Sequence, residues 1–141
     1  MVESGGAPAF SAEQTRVSGR RFVAHFVDGT IYAVLFVVLI LVAGATTDFI
    51  LVATFVLGLT LLHVAYFVVL QRPNGRTPGK ALVGIRVVDE AGQVPTTGAL
   101  VKRTLPLLIE YLYVIALIGM LTSEYRQRFG DRWGRTYVIL D

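Results

Sequence analysis

Apolar positions along this chain come in long blocks, without the 3.6- or 2-residue rhythm of an amphipathic element. Residues 49–70 hold no Asp, Glu, Lys or Arg, and His63 is their only ionisable group. As a helix this block reaches roughly 33 Å, against a bilayer core of about 30 Å. Residues 31–45 are equally free of charge, and that block extends back to Phe22 once His25 and Asp28 are tolerated. The pattern predicts two transmembrane helices, over about 22–44 and 49–70, with a tight turn at Thr46-Thr47-Asp48 between them. Residues 1–18 are small, polar and rich in Gly, Ala and Ser, which predicts a disordered tail ahead of a single membrane domain over 19–141.

Beyond the second block the pattern changes. Residues 71–98 form a polar loop whose "RPNGRTPGK" is dense in turn formers. "ALVGIRVVD" then carries β-branched residues of strand type, and "DEAGQV" supplies a Gly-bearing turn, which predicts a small hairpin at the membrane surface. "GRTYVILD" near the end is a second strand-like stretch, and if it pairs with "ALVGIRVVD" the two share one side of the membrane. A third apolar segment, within 99–122, is interrupted by Pro106, Glu110 and Gly119, and it sits near the lower length limit for a span. The predicted fold class is an all-α membrane protein with two firm helices, a third embedded segment that is spanning or re-entrant, and a small cytoplasmic β element.

Charge decides the orientation. Arg72, Arg76, Lys80 and Arg86 lie in the central loop, Lys102 and Arg103 just after it, and the turn at Asp48 has no basic residue. Lys and Arg gather on the cytoplasmic side, so the N-terminus and the loop are expected there. The tail over 123–141 carries Arg126, Arg128, Arg132 and Arg135 and asks for the same side. That favours a kinked or re-entrant third segment, with a full third span as the alternative.

Composition agrees with a membrane location. Hydrophobic residues make up 54% and charged residues 16%, where soluble domains run near 25% charged. The net charge of +3 flanks apolar runs and forms no stripe for nucleic acid. A cleaved export signal is a rival for the first segment, with Ala43-Gly44-Ala45 as its cleavage site, but Asp28 and His25 fit it poorly. There is no cysteine, which excludes disulfides and thiolate metal sites.

Chemistry then centres on depth. Asp28 lies seven residues in from Arg21, His63 seven in from Leu70, and Glu110 seven in from Arg103. Seven helical residues span about 10 Å, so all three are expected at one level of the inner leaflet. Arg21, His25 and Asp28 share one helix face. Such a set suits a proton or cation site, because intramembrane ionisable groups turn toward the bundle interior. The bland alternative is helix glue, with Asp28 paired to Arg21, His63 or an arginine of the tail. Gly29-x-x-x-Ala33 and Thr54-x-x-x-Gly58 suit close helix packing, within the hairpin or between copies. The stretch "GRTPGK" is not a phosphate loop, since Gly75 and Gly79 are separated by three residues and Ala81 follows Lys80. The tail arginines Arg126, Arg128, Arg132 and Arg135 are candidates for lipid headgroups. No nucleophile–base set and no metal spacing stands out, so an enzyme is the least expected class.

Three stretches carry a resemblance. "RRFVAHFVD" supplies Arg21, Ala24 and Asp28; "TPGKALVGIRVVDEAGQVPT" supplies Thr77, Gly79, Lys80, Gly84 and Asp89; "RQRFGDRWGRTYVIL" supplies Asp131. Together they resemble the RDD family of small bacterial integral membrane proteins, named for an Arg and two Asp. The resemblance covers about 20–141 and implies that Arg21, Asp28 and Asp131 matter. Arg135 stands where the family has Gly before Thr136, a departure in the closing turn. Small-ion transport is suspected for the family. The expected function is therefore a transport or proton/cation-handling component of the cell membrane, multi-pass and without cofactor. The rival is a non-catalytic accessory or scaffold subunit. Either role implies the lipid bilayer plus further copies or a larger membrane partner, because so small a unit encloses a pathway poorly.

Overall fold

The computed structural model describes residues 7–108 and 114–141. Two long helices dominate it. Helix α1 runs Ser18–Ala43 and α2 runs Phe49–Gln71, about 39 and 35 Å at 1.5 Å per residue. Both are long and apolar enough to cross a membrane. Helix α1 starts at Ser18, ahead of its apolar block, where the Arg20 guanidinium donates to the Val83 carbonyl at 2.7 Å. Asp48 caps α2 by accepting from the backbone N–H groups of Ile50 and Leu51, which fixes the turn between the helices.

The two helices touch along narrow stripes. Ala24, Asp28 and Tyr32 are the buried stripe of α1, and Leu59, His63, Phe67 and Gln71 that of α2. Spacing by four keeps each stripe on one face. The Tyr32 hydroxyl donates to the Leu59 carbonyl. Elsewhere Phe26, Val34, Leu41, Phe49, Leu57 and Leu61 stand exposed, as lipid-facing side chains do. Gly29 and Gly58 have no neighbour within 4 Å of a Cβ position. The small-residue patterns therefore face outward and do not join the hairpin.

After α2 the chain forms a compact base. Helix α3 (Pro78–Leu82) is capped by Thr77 and begins on Pro78, whose fixed φ suits a first helical position. Strand β1 (Ile85–Val88) follows, then α4 (Thr97–Thr104), a 3-10 turn over Leu105–Leu108, α5 (Val114–Leu121), α6 (Phe129–Trp133) and β2 (Tyr137–Leu140). Strands β1 and β2 pair antiparallel, with Ile85 opposite Leu140 and Val88 opposite Tyr137. The expected local hairpin is thus corrected: β1 pairs across the chain with β2. Pro95, just past the turn, lacks the N–H a ladder needs, whereas β2 offers Tyr137, Val138 and Ile139 to the core.

The core lies in this base and takes in the base ends of α1 and α2. Val17, Ala24, Val68, Ile85, Val87, Leu100 and Val138 form its main cluster. Val88, Tyr137 and Ile139 form a second, covered by Phe10 and Tyr125. Residues 9–17 differ from the expected disordered tail. Ala12–Thr15 is a 3-10 turn, Thr15 and Val17 are buried, and the Ala9 N–H donates to the Glu90 carbonyl at 3.0 Å.

The third apolar segment is broken. Pro106 lacks an N–H, and α4 gives way there to the 3-10 turn. Glu110 lies outside the described residues. Both ends of the segment nevertheless meet the same tail residues. A Cβ on Gly130 would lie 2.3 Å from the Arg103 carbonyl oxygen, and one on Gly119 would lie 3.7 Å from the Arg128 Cα. The chain that leaves after α4 has returned to its starting end by the close of α5.

Arg135 adopts φ 50°, the left-handed region, which costs a non-glycine residue about 1–2 kcal/mol. Glycine, which the resemblance implies at this position, would adopt that region without the cost. Arg135→Gly is expected to raise stability by less than about 1 kcal/mol, since glycine's extra unfolded-state freedom offsets part of the relief. The unfolding midpoint in detergent measures it.

A buried charge cluster at the base of the helix pair

Asp28 is 1% exposed, near the base end of α1. Its carboxylate accepts from the Thr77 hydroxyl at 2.5 Å, the Gly79 backbone N–H at 2.9 Å and the Tyr66 hydroxyl at 3.4 Å. All three donors are neutral. The carboxylate therefore works as a latch: it ties α3 and its preceding loop to α1, with α2 reaching in through Tyr66. Gly79 makes the approach feasible, because a Cβ there would lie 2.2 Å from the Ala24 carbonyl oxygen and 2.9 Å from the Asp28 carboxyl carbon.

Asp131 is the second anchor, fully buried at the start of α6. It binds the guanidinium of Arg21, ion-pairs with Arg103 Nη2 at 2.9 Å, and accepts from the Arg128 backbone N–H at 3.1 Å. The Arg128 Nε lies 3.7 Å away. Burial alone would raise this carboxyl's pKa, but Arg103, Arg21 and Arg128 overcome it and hold the group well below the usual carboxylate range. One carboxylate thus joins α1, α4 and the tail. Arg21 also donates to the Arg126 carbonyl at 2.8 Å.

Lys80 lies between the two anchors. It is 9% exposed, with its ammonium 3.4 Å from the Thr77 hydroxyl oxygen and 5.5 Å above the Phe67 ring. Burial and then the charge of Arg103 lower its pKa to about 7, against the pull of Asp28. Beside it is a cavity of about 20 Å³, lined among others by Arg21, Asp28, Gln71, Lys80, Arg103 and Arg128. That holds about one water. The Gln71 Oε1 is buried there without a hydrogen-bond partner among the described residues.

Arg21, His25 and Asp28, expected on one helix face, do line this one cavity. Asp28 is not paired to Arg21, whose carboxylate partner is Asp131. His63 packs on Tyr32 and Phe67, each with ring centroids 4.9 Å away, one turn beyond Asp28; Tyr66 is the α2 residue that reaches the carboxylate. Arg128 is corrected as a headgroup candidate, because it is buried against Asp131. Arg132 and Arg135 remain exposed and, with Lys102 and Trp133, line an open groove of about 630 Å³. Arg126 is half-buried. Sequence reading took Lys80 and Arg103 as orientation charges. The signal that marks Lys80 out is its neighbour, since Thr77 and Gly79 are both bound to Asp28.

No match emerges among curated proteins or solved structures. The model of the RDD family matches residues 16–135, which includes Arg21, Asp28 and Asp131. On that match, this chain belongs to the RDD family, whose members are membrane proteins.

Proposed function

We propose that this protein is a membrane component that handles a small ion or a proton at the buried charge cluster, with the base facing the cytoplasm. The observation that carries it is the water-sized cavity at the end of two apolar helices, lined by four cationic side chains and Asp28. Basic residues of the loop and tail belong to this end and none to the Asp48 turn, in keeping with a cytoplasmic base. Arg103, before the third segment, and Gly119, near its close, both meet the tail around Arg128–Gly130, which suits a re-entrant segment. Asp28 is occupied as a latch, so the titrating group in this reading is Lys80.

Purified protein in liposomes tests it. A pH gradient is expected to decay at least about tenfold faster than in protein-free vesicles, and Lys80→Met is expected to return the rate to background. Equal decay with and without protein would remove the reading.

The accessory-subunit reading has its own support. Most of the surface of α1 and α2 is exposed and apolar, with Gly29, Ala33 and Gly58 outward, as suits contact with further membrane helices. A fixed stoichiometric partner retained through purification in mild detergent, together with no flux, would favour it.

A further inference from the structure

We propose that the open groove between α4 and α6 binds the phosphate headgroup of an anionic phospholipid, drawn from the leaflet on which the base rests. The proposal does not depend on the ion-handling reading. Close packing of the two helices makes the groove. A Cβ on Gly130 would lie 2.3 Å from the Arg103 carbonyl oxygen, and one on Gly134 would lie 2.7 Å from the Ala99 carbonyl oxygen. With no side chain at either glycine the two backbones meet, and longer side chains stand around the contact. Lys102 comes from α4, Arg132 and Trp133 end α6, and Arg135 follows it. All four are exposed. The volume of about 630 Å³ lies within the roughly 300–1,000 Å³ of clefts that take ligand-sized molecules.

Charge selects the occupant. Lys102, Arg132 and Arg135 are cations, and among the described residues no carboxylate lines this groove. An adjoining cleft does carry acid: Asp89 and Glu90 line it together with Arg135. The phosphate therefore seats at the opposite end, which Lys102, Arg132 and Trp133 provide. A guanidinium can meet two phosphate oxygens at once, and an ammonium adds a point charge beside it.

The surroundings make that phosphate a lipid's. Phe129 and Trp133 are four apart on α6 and share one face, 67% and 51% exposed. Trp133 is the only tryptophan of the chain. An exposed indole among basic side chains suits the headgroup level of a bilayer, where its ring meets acyl carbon and its N–H meets water. Arg132 also donates to the Gly119 carbonyl at 3.4 Å, which sets α6 against α5. Helix α5 has no polar side chain, and its Leu117, Ile118 and Leu121 stand exposed. Cations beside apolar surface fit a molecule that carries both a phosphate and acyl chains. A soluble phosphate ester would use the cations and leave the aromatic face uncovered. In the proposed orientation the base rests on the cytoplasmic leaflet, whose surface is negative.

Trp133 supplies the reporter, because bromine on acyl chains quenches indole fluorescence at contact range. The full chain is reconstituted in phosphatidylcholine vesicles that hold a minority of phosphatidylglycerol. Bromine is placed on the chains of one lipid or of an equal amount of the other. A basic residue at an anionic surface enriches acidic lipid roughly fivefold. Brominated phosphatidylglycerol is therefore expected to quench at least about threefold more than brominated phosphatidylcholine. Lys102→Met with Arg132→Met is expected to bring the two to parity. Arg16→Met with Arg72→Met removes as much charge from exposed positions outside the groove and is expected to keep the preference. If the groove pair does not fold, Lys102→Met alone is expected to cut the preference by at least about half. Equal quenching by both lipids, or quenching by neither, would overturn the proposal. So would a preference that survives the groove variants, or one that falls equally in the Arg16 and Arg72 pair, since either shows general surface attraction. Reversal by millimolar glycerol phosphate would assign the groove to a soluble ester and overturn the lipid.

Discussion

Asp131→Asn is expected to cost about 3–5 kcal/mol of folding free energy, the range for removing one partner from a buried ion pair. The carboxylate is fully buried between Arg21, Arg103 and the backbone N–H of Arg128. Asn keeps the shape and removes the charge, so three guanidinium groups stay buried against one neutral amide. A unit this size has roughly 5–15 kcal/mol of stability to lose. The expected readout is a steep fall in folded yield and in the detergent unfolding midpoint, with unchanged membrane insertion of α1 and α2. The pH dependence follows the same sign. The folded carboxyl lies below its unfolded value, so the stabilisation is complete above about pH 4 and declines as pH falls below it.

Gly79→Ala is the second large effect. The added methyl would meet the Ala24 carbonyl oxygen at 2.2 Å, and backbone cannot swing aside as a side-chain tip can. Helix α3 must then move away from α1, which stretches the Gly79 N–H bond to Asp28 and the Thr77 bond beside it. Overpacking costs about 1–3 kcal/mol, and a buried carboxylate that loses donors adds to it. Destabilisation of at least about 3 kcal/mol is expected, against less than about 1 kcal/mol for Gly92→Ala, where no neighbour lies within 4 Å but φ is +75°. Similar losses at both glycines would show that the α1–α3 contact is not the reason.

The long helices were legible because lipid exposure leaves them apolar on nearly every face, so their blocks read directly as length. The strands were legible as β-type residues, and their pairing with each other only as a condition beside the local hairpin. Ile85 and Leu140 are joined only by tertiary folding, and the nearby turn at Asp89–Gly92 made a local hairpin the simpler expectation. At the site, the Arg21, His25 and Asp28 face followed from helical spacing. The partners did not: Arg21 meets Asp131 from 110 residues away, and Asp28 meets Thr77 from 49 away. Spacing along one helix carries no information about such contacts. Lys80 was hidden for another reason. A lysine beside a membrane helix is ordinarily an exposed orientation charge, and only the close approach forced at Gly79 carries this one inward.

A double-mutant cycle on Arg21 and Asp131 tests the account most directly, using Arg21→Met, Asp131→Asn and the pair, each read by unfolding in detergent. Two single changes that each cost several kcal/mol, with the double costing little more than either, are expected; a coupling above about 1.5 kcal/mol marks residues in contact. Additive losses within about 0.5 kcal/mol would contradict the buried cluster on which the latch, the cavity and the ion-handling reading all depend.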